Sequence, residues 1–139
     1  APAPYLKAPE FTVPSEAIDY IFNTLIKEEN YADLVNTLDA DTTVLELTQI
    51  VLFSGFNTGK WNPDLLLLLI EPTAYIIMAL AEKAGVEYLM DDEDDENDPN
   101  RMGALPKPTM NPSKIPTEAK ESIDKLQDIE LPSLLQKAE

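Results

Sequence analysis

The feature that most constrains this chain is a seventeen-residue apolar segment, 65–81, interrupted once by Glu71-Pro72. Its start is well marked. Asn62 offers a side-chain acceptor for the first amides of a helix, Pro63 suits the first helical position, and Asp64 favours the positive end of the helix dipole. Gly85, following Lys83 and Ala84, is a natural terminator. The expected element is therefore a helix over 63–84, and a helix apolar on every side is buried on every side. Pro72 is expected to kink it, because its ring displaces the carbonyl of Leu68. On this reading Leu67→Asp or Leu68→Asp abolishes folding or assembly. The rival is a membrane span at 65–81. A span needs about 20 mainly apolar residues, whereas here the flanks carry Asp64 and Glu82 and no cluster of cationic anchors. A core helix fits better. Glu71, at its middle, is then either a solvated residue on an exposed strip or a carboxylate facing a partner chain.

A core helix needs others to cover it, and the preceding sequence supplies them. Ile18, Ile21, Phe22, Leu25 and Ile26 recur at three- and four-residue spacing, which predicts an amphipathic helix over 15–28 with Ser15 as its cap. Asn30 is the expected cap of a short helix over 31–38, with Ala32, Leu34, Val35 and Leu38 apolar and Asp39-Ala40-Asp41 breaking it. Thr43-Val44-Leu45-Glu46 has the capping-box pattern, a hydroxyl followed three residues later by Glu. It predicts a helix over 43–54, although the β-branched residues at 42–44 also suit the start of a strand. The fold class is all-α: a small helical bundle, 15–90, around a central kinked apolar helix.

The two ends read differently. Residues 1–14 contain four prolines and form an extended arm. Charge divides the rest. Of the 26 acids, 13 lie in residues 1–90 with four bases, and seven lie in residues 91–98 with none. The last 41 residues balance six acids with six bases, for a total of −16. A block of like charge repels itself and seldom folds, so 91–98 reads as an acidic hinge. Residues 99–139 read as an extended tail, with prolines at 99, 106, 108, 112 and 116. One short amphipathic helix is expected within it, from a Thr117 cap to Ile129, with Ala119, Ile123, Leu126 and Ile129 on one face. No signal-peptide pattern is visible at the start. A first residue of Ala rather than Met is what initiator removal or proteolytic processing would leave.

Composition narrows the chemistry. There is no histidine and no cysteine. Thiol nucleophiles, disulfide frameworks, zinc fingers and histidine-based acid–base catalysis are therefore absent with their residues. An acidic chain is repelled by nucleic-acid phosphates, so specific nucleic-acid binding is not expected. A calcium loop starting at Asp92 would place Asn97 at its sixth position and Gly103 at its twelfth, where Gly and Glu are required. A phosphate loop fails too: three residues rather than four separate Gly55 and Gly59, and Trp61 stands in place of Ser or Thr. No spacing selects a pair of carboxylates for glycoside hydrolysis. The expectation is a non-enzymatic protein without a metal or cofactor.

The block Gly59-Lys60-Trp61-Asn62-Pro63-Asp64-Leu65-Leu66-Leu67-Leu68 resembles small structural proteins of tailed bacteriophages over residues 45–90. That resemblance implies a virion component, a minor structural protein of the capsid or head–tail region, with many copies and protein partners. Nothing catalytic is carried over with it. The arm and tail agree with an assembly role, because ordering them against neighbours offsets their entropy with new contacts. The expected partners are other structural proteins of the same assembly or a second copy of this chain. The candidate contacts are Tyr5, Phe11, Trp61, Glu71, Ile123, Leu126, Leu134 and Leu135. The alternatives are an acidic binding module or inhibitor of the host cytoplasm, either DNA-mimicking or chaperone-like, and a small membrane subunit.

Overall fold

The computed structural model describes residues 8–90 and 114–129. Five helices make up the described residues: α1 (Pro14–Leu25), α2 (Glu28–Asp39), α3 (Val44–Asn57), α4 (Pro63–Ala84) and α5 (Thr117–Leu126). The protein is a helical bundle built around α4, which touches all four others. Tyr5, the acidic run 91–98, the linker to residue 113 and Leu131, Leu134 and Leu135 lie outside the described residues.

Backbone chemistry at the helix ends explains where the elements differ from expectation. At α1 the proline, not Ser15, sets the start: Pro14 occupies the first helical position, and Val13 precedes it in extended conformation without a side-chain cap. Proline has no N–H to leave unpaired there. The second helix begins earlier than expected, at Glu28, with two glutamates in its first turn, where the dipole favours negative charge. Asn30 is not its cap. Its amide donates to the carbonyl of Thr24 at 2.9 Å and fastens α2 to the end of α1. Asp41 adopts a left-handed φ of 72° and turns the chain toward α3. For α5, Pro116 precedes the helix and Thr117 makes no cap, and the helix closes at Leu126.

The start of α3 accounts for its amides completely. Thr43 Oγ1 accepts from the Glu46 amide at 3.1 Å, and the Glu46 carboxylate accepts from the Thr43 amide, as a capping box should. The two remaining amides, of Val44 and Leu45, donate to the carbonyls of Leu89 and Met90 at 2.8 and 2.9 Å. Residues 86–90 therefore return from α4 to close the N-terminus of α3, an end that would otherwise leave donors unpaired. The same segment is held by Tyr88, whose hydroxyl donates to Glu82 at 2.6 Å. Helix α4 ends as the sequence predicts. Gly85 has φ 74°, with Gly85 N–H on the Glu82 carbonyl and Val86 N–H on that of Ala81, the paired bonds of a Schellman ending.

Helix α4 runs through Pro72 without a break. Burial along it is uneven, which corrects the expectation of a helix buried all round. From Pro72 to Ala81 every residue is buried except half-buried Tyr75. Before Pro72, Leu67 is 66% and Leu68 63% exposed. The second half is covered on all sides. The first half is left open beyond its contact with α3.

Helix α5 belongs to the bundle. Ala119, Ser122, Ile123 and Leu126, at helical spacing, are buried against α1 and α4. Ile123 and Leu126, expected to meet a partner, are thus consumed within the chain, because their stripe closes the face that α1 and α4 leave between them. Lys125 lies 3.8 Å from Asp19 of α1 and 3.4 Å from Glu121, an exposed arrangement of small energetic weight.

Trp61 is also an internal residue, 2% exposed. Its indole N–H donates to the Leu52 carbonyl at 3.0 Å. The ring lies so close over Gly55 that a Cβ there would overlap it. The N-terminal arm straps this corner. The amides of Glu10 and Phe11 donate to the carbonyls of Gly59 and Lys60 at 3.0 and 2.8 Å. Lys60 pairs with Glu10 at 2.8 Å, and Phe11 stacks 5.1 Å from Tyr20, which meets Trp61 edge-on at 6.3 Å.

Two stability predictions follow from this packing. Gly55→Ala gains about 1 kcal/mol of helix propensity but forces Trp61 from its seat at about 3 kcal/mol. A net loss of about 2 kcal/mol is expected in chemical denaturation, read by the fluorescence of the single tryptophan. The second concerns alkaline pH. Burial pushes the Tyr31 hydroxyl above its ordinary 10.0, and burial with the Glu82 hydrogen bond pushes Tyr88 up as well. The bond to Glu10 raises Lys60 above its ordinary 10.5. Each shift favours the protonated form in the folded state. Their stabilisation is therefore intact below pH 10 and is lost as pH rises above it. Unfolding free energy should fall above pH 10 by at most about 1.4 kcal/mol per pH unit per tyrosine. Tyr31→Phe with Tyr88→Phe should flatten that slope.

Candidate docking face on α3 and α4

Helices α3 and α4 form an antiparallel hairpin closed by the turn at 58–62, and this is the most extensive helix pair of the bundle. Both are apolar around most of their circumference, and each has one face the bundle does not cover. On α3, Ile50 is 60% and Phe53 54% exposed, three residues apart on one stripe. On α4, Leu67 and Leu68 are both exposed, but as successive residues they stand about 100° apart around the helix. Ile50 lines a separate concavity between α1, α2 and α3, whereas Phe53 and Leu67 line an open groove of about 320 Å³ with Gln49, Leu52, Phe56, Pro63, Leu66 and Ile70. Gln49 is its single polar side chain. Burying one such large apolar side chain is worth about 1.5–3 kcal/mol. Two of them, Phe53 and Leu67, exposed on one apolar groove give it a tendency to bind something apolar.

Helical spacing sets the border of this face. Glu46 lies one turn before Gln49 and Ile50. Asp64 and Glu71 lie one turn to either side of Leu67 and Leu68. All three acids are exposed. Neither α3 nor α4 contributes a basic residue to this region, because Lys83, near the end of α4, is the only one on either helix. Glu71 thus takes up the exposed-strip position foreseen for it and sits at the rim of the apolar face.

A second concavity of about 320 Å³ lies between α1, α2 and α3, with Leu25, Leu34 and Leu47 in its floor. The Thr37 and Thr58 hydroxyls and the Asn30 amide that line it are committed to backbone. Thr37 donates to Asp33 O at 2.7 Å, Thr58 to Ser54 O at 3.0 Å, and Asn30 to Thr24 O. No cluster able to hold a metal ion is found among the described residues.

Of the residues singled out from sequence, the structure brings Phe11 and Trp61 together through Tyr20, at the strap and not at the open face. Phe11 is half-buried there. Ile123 and Leu126 are core residues, and Glu71 alone borders the docking face. The exposed residues of the groove, Phe53 and Leu67, read as core from their periodicity. The signal that could have found them is excess: α3 and α4 are both apolar all round, and a bundle this small has too few other helices to cover both. Helix α4 is long and apolar enough to cross a membrane, with a mean hydropathy of 1.8. Yet 67% of that window is buried by the chain's own helices. Comparisons with protein-family models, curated proteins and solved structures give no match.

Substitution separates the two sides of α4. Leu67→Asp and Leu68→Asp should leave the helical circular dichroism intact and change stability by no more than about 0.5 kcal/mol. Leu69→Asp, at a position with 0% exposure, should unfold the protein, since an unpaired carboxylate would enter the core.

Proposed function

We propose that this chain is a non-catalytic assembly protein that binds neighbouring proteins through the face formed by α3 and α4. The observation that carries this reading is the exposure of Phe53 and Leu67 on one apolar groove between two helices whose other sides are packed. An apolar face on a rigid hairpin loses little conformational entropy on binding, so most of its burial energy goes into association. The assembly we favour is a tailed-phage particle, with this chain as a minor structural protein of the capsid or head–tail region. The support for that setting is the Gly59-to-Leu68 block, which lies at the turn and first helical turns of the same hairpin.

The reading is tested in the particle. Quantitative mass spectrometry of purified virions should find the chain at a fixed copy number. The double substitution Phe53→Glu with Leu67→Glu should leave the free protein folded and lower that copy number at least about tenfold, as loss of two central contacts would. A chain absent from virions would refute the setting. Unchanged incorporation of the variant would refute the face.

A further inference from the structure

We infer that the occupant of the α3–α4 groove is an amphipathic helix of a different protein, with basic residues flanking its apolar stripe. This rests on the proposal that the face is a protein-binding surface, and adds what binds there.

Two physical arguments select this partner. The first concerns backbone. The groove is lined by apolar side chains and Gln49 alone, and the described residues contain no strand to which an extended segment could pair. An extended peptide lying here would bury N–H and C=O groups without partners, at a cost of a few kcal/mol. A helix satisfies its own backbone before it docks and presents anchors at i, i+3 or i+4, and i+7. The shape agrees: a furrow between two antiparallel helices seats a third one.

The second argument concerns charge. Glu46, Asp64 and Glu71 border the face, and no Lys or Arg of α3 or α4 stands among them. Lys60, a base at the turn, is paired with Glu10. A second copy docking by the same face would bring acidic rim against acidic rim, since a two-fold interface joins the same patch on both partners. Like charges placed in this way oppose association. A helix flanked by lysines or arginines meets the rim with the opposite sign. An anionic bilayer is disfavoured for the same reason as a second copy.

The test uses the full chain and two synthetic helical peptides. Both carry Leu at i, i+3 and i+7; one has Lys on the flanking positions and the other Glu. Isothermal titration at 50 and 300 mM salt should show the Lys peptide binding at least tenfold more tightly than the Glu peptide, with the difference shrinking at the higher salt. Phe53→Glu and Leu67→Glu should each abolish binding of the Lys peptide while circular dichroism stays unchanged. In the variant Asp64→Asn with Glu71→Gln, the preference between peptides should fall while the fold is kept. Equal binding of both peptides, or binding indifferent to Phe53→Glu, overturns the inference. So does a dimer of the free chain in analytical ultracentrifugation that Leu67→Glu dissociates; that result would leave the assembly reading standing, with a second copy as occupant. If neither peptide binds, the chain is monomeric, and Phe53→Glu with Leu67→Glu is incorporated into particles normally, both proposals fail together.

Discussion

Everything in this bundle depends on how much of α4 can be covered. A 22-residue helix spans about 33 Å, and its sequence is apolar along nearly all of that length. Four helices pack on it, and their combined cover suffices for the half from Pro72 onward. There, Ile76, Ile77, Leu80 and Ala81 have at most 0% exposure. The first half has α3 beside it and an open flank. The boundary between the covered and open halves falls near Glu71-Pro72, where the sequence departs from its apolar run. In the first half the core and the exposed face are two sides of one helix, with Leu65, Leu66 and Leu69 buried and Leu67 and Leu68 exposed.

The peripheral segments act on the same hairpin. The arm bonds to the carbonyls of Gly59 and Lys60 and seats Phe11 on Tyr20, which fixes the turn. Trp61 fills the space over Gly55 and accounts for the lack of a side chain at that position. Residues 89 and 90 hold the other end by accepting the first amides of α3. A hairpin tied at both ends presents Phe53 and Leu67 in a constant arrangement. Rigidity of this kind distinguishes a docking surface from an accidental patch, because a surface that must first be ordered loses binding energy in the ordering.

Much of the architecture was legible in the sequence, for reasons that particular residues illustrate. The Asn62-Pro63-Asp64 start, the Gly85 stop and the Thr43/Glu46 box are local: each needs only a few neighbouring residues to act, and each forms as read. Local chemistry misleads where a neighbour competes for the role. Pro14 displaces Ser15 as the determinant of α1, and the Asn30 side chain donates to the Thr24 carbonyl instead of accepting from an amide of its own helix. What periodicity could not convey was which apolar stripe meets another helix. Ile123 and Leu126 looked like free contacts because they follow a long proline-rich stretch, yet they pack into the core. Leu67 and Leu68 looked buried because they stand among leucines, yet they face outward. Both errors have one cause. Pattern specifies that a side is apolar, whereas three-dimensional supply of partners decides whether it is covered.

The same reasoning gives the acidic character of the chain a function at the face. An exposed apolar groove is in itself an invitation to indiscriminate association, including with identical copies. On the proposed reading, Glu46, Asp64 and Glu71 restrict that association by opposing an occupant of like charge, so that specificity arises from repulsion as much as from attraction. Their removal would be expected to broaden the range of partners more than to strengthen any one of them. The acids at the rim contribute little to the stability of the fold, since exposed charges rarely do. Their consequence lies in which helix the leucines and phenylalanines of the groove are allowed to meet.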